Sequence, residues 1–267
     1  MSVHPGQPLI RADADGVATL TLNRPDARNA LSESLMAALS GAVAAIAHDP
    51  AVGAIVIAAN GPAFSAGHDL KEMQAHRADA DRGRAYFTDI MGRCAAMMKA
   101  IARSPKPVVA AVEGTATAAG CQLVASCDLA IAGVNARFAT PGVHIGLFCS
   151  TPMVALARNV SPKHALEMLL LGEPVSAENA WRMGLVNRVV NPGEALEKAL
   201  AMAHAIAGKS PLTLRIGKEA FHAQRDMTLD EAYAYASGVM VENMLAHDAE
   251  EGIGAFVEKR APVWRGV

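Results

Sequence analysis

Apolar and polar residues alternate through GVATLTLNRP (16–25), the period of two expected of a half-buried strand. The period then lengthens. Leu35, Leu39, Val43 and Ile46 recur at helical spacing, with Ser32 placed to cap the helix they predict. AIVIAAN (54–60) is an unbroken apolar run closed by Asn-Gly, which predicts a buried strand. AGHDLKEMQ opens a helix or helical turn, RADADRGR (77–84) reads as a charged, mobile loop, and a long helix follows over about 84–103. VVAAV (108–112), DLAIAG (128–133) and ARFATP (136–141) predict three more short strands. Strands and helices therefore alternate, an α/β pattern. From Thr151 onward the chain reads as helix. Ser161-Pro162, Ser176 and Ser210-Pro211 are N-cap signals, and Gly184 stops AENAWRM. LVNRVV (185–190) is the one late strand expected, and Asp248 with Glu251 has capping-box spacing for a final helix. The division is an α/β core over residues 1–190 and a helical segment over 191–267.

Composition narrows the picture. Apolar residues make up 52% of the 267 and aromatics only 4%, so the core must be built from Ala, Val, Leu, Ile and Met. Such small side chains suit close packing of helices on a sheet. A net charge of −2 argues against a nucleic-acid partner, and no apolar run reaches the length of a membrane span. Cys94, Cys121, Cys127 and Cys149 form no CxxC pair and read as free thiols of a reducing compartment. MSVHPGQPLI lacks the charged and apolar regions of a signal peptide. A cytoplasmic location is expected on those grounds.

Two stretches share one design. In AIVIAANGPAFSAGHDL and in VVAAVEGTATAAGCQLV, a buried strand runs into a small-residue turn and a helix begins there. Backbone N–H groups at a helix start lack intrahelical acceptors, and the dipole favours negative charge. One N–H from each turn, aimed at one point, would make an oxyanion hole. Preorganised donors of that kind contribute roughly 3–4 kcal/mol each in a transition state. Close packing alone would explain either turn taken singly. GxGxxG is absent from both, and no Walker A sequence is present.

Together, NRPDARNAL (23–31), FSAGHDL (64–70) and GTATAAGCQLVASCDLAIA (114–132), in that order, resemble the enoyl-CoA hydratase/isomerase family, the crotonases. GEPVSAENAWRMGLVNRVV (172–190) is similar to its later helix–strand stretch, so the likeness covers about residues 9–264. The resemblance implies a crotonase-like (ClpP/crotonase) spiral of ββα units with a helical C-terminal trimerisation segment. It implies a homotrimer, or a hexamer made of two trimers. It also implies an acyl-CoA or enoyl-CoA ligand, with no metal and no cofactor beyond the coenzyme A of the substrate, and a place in fatty acid metabolism. The thioester oxygen would sit between the N–H groups of Ala66 and Ala119. Ala27, Arg28, Ala66, His68, Asp69 and Leu70 would line the CoA groove. Phe256 and Lys259 match residues that a neighbouring subunit brings to the ligand.

The chain departs from the family where hydratases carry two glutamates. Gln122 and Gly142 stand at those positions. Hydration needs one group to take a proton and another to give it, as paired carboxylates with split pKa values do. A lost acid–base role lowers the rate by about 10²–10⁴. Two-glutamate hydration is therefore not expected, although Gln122→Glu with Gly142→Glu would be expected to restore some. Ala118 and Ala119 stand where relatives often have glycine; the N–H persists, and alanine strains the turn only if φ is positive. FATPGV, GLFCSTP, GEP and KRAPVW are similar to a narrower branch of the family in which both glutamates are also replaced. His144 is a substitute candidate, as is Cys149 at a helix start that would lower a thiol pKa. His68 is weighed mainly as a CoA contact or a surface residue. Asp69 and Glu113 read mainly as structural. The resemblance supports a lyase or isomerase acting on a CoA thioester. A non-catalytic acyl-CoA-binding homologue is the alternative.

Overall fold

In the computed structural model, residues 6–267 are described. The first half of the stretch read for a signal peptide, residues 1–5, lies outside them. Strand β1 (Leu9–Ala14) pairs antiparallel with β2 (Val17–Leu22). The turn between them is Asp15-Gly16, both at positive φ, as a tight right-twisted hairpin requires. Helix α1 (Glu33–Ala47) follows, and the Ser32 hydroxyl accepts the Leu35 N–H at 3.2 Å. Its predicted apolar face is buried.

The next elements repeat a step. Strand β3 (Ala54–Ala59) is followed by β4 (Ala63–Ser65) and α2 (Leu70–Ala75), and then by the long helix α3 (Arg84–Ala102). The charged 77–84 stretch, expected as a loop, is organised. His76–Ala78 makes a 3-10 turn, and the Asp81 carboxylate accepts the N–H groups of Gly83 and Ala85. Strand β5 (Val108–Val112) leads to β6 (Thr115–Thr117) and α4 (Ala119–Ser126). Strand β7 (Leu129–Gly133) leads to β8 (Arg137–Ala139), a 3-10 turn over Pro141–Ile145, and α5 (Ser150–Leu156). Helix α6 (Pro162–Leu171), strand β9 (Val175–Ser176), helix α7 (Ala177–Met183) and strand β10 (Arg188–Val190) complete the strands. The late strand is thus shorter than expected, and β9 is a second one. Ser176 caps α7 through the Asn179 N–H; Ser161 sits at the N-cap of α6 but bonds His164 instead.

One sheet has the order β1-β2-β3-β5-β7-β10, and a smaller one has β4-β6-β8-β9. Three times a strand of the large sheet passes into a short parallel strand of the small one and then into helix. This is the crotonase-like spiral of ββα units. Leu20, Leu22, Ile55, Ile57 and Phe64 fill the core between the layers. Each fully buried side chain of this size contributes about 1.5–3 kcal/mol. The opposite face of the large sheet is covered by α8 (Ala195–Ala207), whose Ala195, Ala199 and Ala203 are wholly buried.

Helices α9 (Pro211–Gln224), α10 (Leu229–Met244) and α11 (His247–Glu258) end the chain. Neither α9 nor α10 fully buries a residue. The Lys218 ammonium joins α9 to the core, donating to Asp128 at 2.6 Å. The capping box expected at Asp248 is not formed: Ala246 is the N-cap of α11, without a side-chain bond. Asp248 is buried instead. Its carboxylate accepts the Ser210 hydroxyl at 2.6 Å and the N–H groups of Arg265 and Gly266 at 2.7 and 2.9 Å. Glu251, the other half of the expected box, takes a two-pronged ion pair from Arg260.

Candidate active site

The site grows from two segments zipped side by side. Arg28 and Asn29 adopt left-handed backbone conformations. They turn the chain so that residues 28–31 run beside 63–69. The buried Asn29 amide donates to the carbonyls of Asn60 and Ala63, and the Ser65 hydroxyl donates to the Asn29 carbonyl. Leu31 N–H reaches the Gly67 carbonyl at 2.7 Å. Ala27, Arg28, Ala66, Asp69 and the half-exposed Leu70 are thereby brought to one edge of this pairing.

This pairing corrects the assignment of Ala66 as a donor. Its N–H already donates to the Arg28 carbonyl at 3.0 Å. Gly67 N–H is turned to the Ser65 hydroxyl, and Asp69 N–H to the Leu31 carbonyl. Among the described residues, only the His68 N–H of this turn has no acceptor. In the second turn, Ala118 N–H donates to the Ala139 carbonyl at 2.9 Å and Gln122 N–H to the Ala118 carbonyl. Ala119 is the first residue of α4, so its N–H has no intrahelical acceptor. The two turns touch. A Cβ on Gly67, which has φ +86, would lie 2.9 Å from the Ala118 methyl and 3.2 Å from the Ala119 nitrogen. A Cβ on Gly120 would run into the Ser65 carbonyl. Only glycine permits either approach. The N–H groups of His68 and Ala119 are therefore neighbours across the contact.

The polar groups around them are neutral and unpartnered. Gln122 is 4% exposed, and its Oε1 has no hydrogen-bond partner. Thr140, one residue beyond Ala139, buries an unpartnered hydroxyl. Both ring nitrogens of His68 are buried without a well-formed partner, and burial, outweighing the opposing effect of the Leu31 backbone, pushes its pKa below the usual value. Buried polar atoms without partners are rare in proteins, and each costs about 1–3 kcal/mol.

At Gly142 the backbone leaves no room for a side chain. A Cβ there would lie 2.7 Å from the Leu147 carbonyl oxygen and 2.9 Å from the Cys149 sulfur. The niche that a glutamate would need is filled by the following loop. The double glutamate change expected to restore hydration therefore does not fit this backbone. Cys149 is the N-cap of α5, yet burial pushes its thiol pKa up, not down. Cys121, one residue before Gln122, is pushed up to about 12 by burial. His144 does not face the turns; it is exposed, and its Nε2 lies against Gly172 at the end of α6. Asp69 caps α2 through the Lys71 N–H and pairs with Arg24 at 3.1 Å. Burial alone would raise its carboxyl, but these bonds outweigh it and hold it below the usual range. Glu113 accepts the N–H groups of Gly193 and Ala195 and so caps α8. Phe256 is 85% exposed on α11, and Lys259 ends that helix in a left-handed conformation. Within one chain, neither is gathered to the two turns.

Residues 12–267 match the family model described as enoyl-CoA hydratase/isomerase. The chain belongs to the enoyl-CoA hydratase/isomerase family. The rat mitochondrial enoyl-CoA hydratase domain-containing protein 3 is 46% identical over 250 residues, 94% of this chain and 82% of that protein. The human protein of that name is 44% identical over 258 residues, 97% of this chain and 84% of its own. The narrower likeness in FATPGV and GLFCSTP thus extends along the chain. A crystal structure of enoyl-CoA hydratase from Mycobacterium smegmatis superposes with a TM-score of 0.91 at 51% identity, covering 96% of this chain and 98% of that one. The crystal structure of the human domain-containing protein 3 gives a TM-score of 0.91 at 44% identity, covering 96% and 100%. The cytoplasmic location expected from the sequence is overturned by these relatives, since the rat and human proteins are named mitochondrial.

Proposed function

We propose that this family member binds an acyl- or enoyl-CoA thioester and polarises its carbonyl between the backbone N–H groups of His68 and Ala119. The observation that carries this reading is the contact of two turns at which the His68 and Ala119 N–H groups both lack an acceptor. Both donors are held by the core, so no reorganisation is needed as negative charge develops on the oxygen. The groove beside Arg28 and Leu70 takes the CoA portion. No cofactor is invoked beyond the coenzyme A of the substrate.

The neutral lining limits the chemistry open to a polarised thioester. Gln122 orients water or substrate but moves no proton near neutral pH, and the Gly142 niche admits no acid. The reading is therefore enolate or thioester chemistry without the two-carboxylate hydration step. The filled niche at Gly142 favours a second reading, a non-catalytic acyl-CoA-binding homologue.

Incubation of crotonyl-CoA with a high concentration of protein in D₂O, followed by mass spectrometry, separates these readings from hydration. Bound but unchanged ligand is expected. A mass gain matching added D₂O would overturn the exclusion of hydration, and absence of binding by native mass spectrometry would overturn the thioester reading itself. Deuterium exchange into a bound acyl chain would favour the enzyme over the binding protein.

A homotrimer, alone or paired as a hexamer, is part of the proposal. Tyr233, Met240, Val241 and Leu245 are exposed on or just after α10, an apolar face that a neighbouring copy would cover. Phe256 and Lys259 of one copy would then reach the groove of the next. Sedimentation of Met240→Glu against the parent chain tests this; an unchanged assembly counts against it.

A further inference from the structure

A cavity lies away from the two donor turns. It measures about 450 Å³ and opens between the C-terminal end of α3 and the side of α9. Arg103 to Pro107 precede β5, whereas the donor turn follows that strand, so the cavity and the thioester site are at opposite ends of the sheet. Arg103, Arg215, Lys218 and His222 line it, against one acid, Glu219.

The ordinary structural reason for cations here is the end of α3, where unpaired carbonyls attract positive charge. Lys218 already fills that role. Its ammonium donates to the Ile101 and Lys106 carbonyls at 3.4 and 3.2 Å and to Asp128 at 2.6 Å. All three of its protons are engaged, and Asp128 balances its charge. Arg103 and Arg215 are left over. Neither guanidinium has a hydrogen-bond or ion-pair partner among the described residues. His222 Nε2 stands 3.9 Å from Asp128. Burial pushes the imidazole below its usual pKa; Asp128 opposes that, while Lys218, Arg225 and Arg103 add to it. Two guanidinium charges thus stand against the one carboxylate of Glu219, and the cavity keeps a net positive charge.

We propose that this cleft is a second binding site, for a phosphate dianion carried on a small organic molecule, gripped by Arg103 and Arg215 with His222 beside them. Two planar guanidinium forks match phosphate oxygens in geometry and charge. The volume falls in the range of small-molecule sites and exceeds what a bare phosphate ion fills. Ala102, Pro105 and Ala223 give the organic portion an apolar wall. A bound dianion also reverses the electrostatic sign felt by His222 and favours its imidazolium form.

The test is an NMR pH titration of His222 in the full chain. The probes are adenosine 3′-monophosphate, inorganic phosphate and chloride at matched ionic strength. The nucleotide is expected to raise the His222 pKa by about one unit, a tenfold preference for the charged ring. Inorganic phosphate is expected to raise it less. Arg103→Gln with Arg215→Gln is expected to abolish both shifts while crotonyl-CoA binding at the other end of the sheet is unchanged. Arg215→Lys, which keeps the charge and loses the fork, is expected to weaken the nucleotide effect and serves if the double variant fails to fold. A nucleotide shift no larger than that of chloride, or one that survives loss of the arginine forks, overturns the site. Equal shifts from phosphate and nucleotide overturn the organic part of the assignment.

Discussion

Ala118 adopts φ 50, ψ −119, a region that glycine enters freely and a residue with a Cβ avoids. Strain of this kind costs about 1–3 kcal/mol and persists where the surroundings enforce it. Here the Ala118 N–H bond to Ala139 and the start of α4 do so. Ala118→Gly is expected to stabilise the fold by about 1 kcal/mol, strain relief exceeding the greater freedom of glycine in the unfolded chain. Urea denaturation checks this. At Gly142 the sign is opposite. Gly142→Ala is expected to cost about 1–3 kcal/mol, since the new methyl meets a backbone carbonyl and a buried sulfur. Gly142→Glu is expected to cost more and to add no hydration, even beside Gln122→Glu. A double variant that folds as well as its parent and hydrates crotonyl-CoA would show that the loop yields. The motif in FSAGHDL marked the first turn but not its free donor. Whether Ala66 or His68 is free depends on which N–H the Arg28 carbonyl takes, and that pairing joins residues 38 apart.

Element by element, legibility followed length and burial. Strands β3 and β5 were readable because five or more apolar residues run together, and α1 because its capped apolar stripe is regular. Strands β4, β6 and β9 span two or three residues, too few to display a period. They exist because a neighbouring strand is there to pair with. The misreading of Asp248 has the same origin. Its spacing to Glu251 fits a local box, but the Ser210 hydroxyl and the returning tail compete for the carboxylate and win. That clasp predicts a pH dependence. Burial alone would raise the Asp248 carboxyl, but the Ser210 hydroxyl and two N–H groups outweigh it and hold it below the usual range. Glu251 is held at about 2, chiefly by Arg260. Both are depressed, so their stabilisation is complete above the unfolded carboxylate value of about 4 and is lost as pH falls through the folded values. Denaturation midpoints followed downward from neutral pH should decline steeply only below that point. Ser210→Ala should flatten the decline and cost about 1–3 kcal/mol, by removing a helix cap and a partner of a buried carboxylate.

At the scale of the whole molecule, the C-terminal helices hang on the sheet through few anchors. Lys218 is the most buried of these, with its side chain 10% exposed and that of Asp128 20% exposed. Lys218→Met is expected to destabilise the protein by about 2–4 kcal/mol, because Asp128 keeps its charge and loses its partner. Hydrogen exchange should then quicken in α9–α11 before it does in β3 and β5. Uniform quickening would mean that the helices and the sheet unfold as one unit. The α/β class was legible because strands and helices alternate along the chain, whereas the spiral was implied only by the family resemblance of FSAGHDL and GTATAAGCQLV. What covers the exposed apolar face of α10 was not legible, because such a face carries no address. The packing around Gly142 has a consequence on a longer clock. With the Leu147 carbonyl and Cys149 packed against Gly142, this backbone cannot take a glutamate there in one step. The loop must first withdraw, a change with no advantage until the acid arrives, and the acid is harmful until the loop has withdrawn. Such a pair of changes works as a ratchet: neither step toward an acid at this position is favourable without the other.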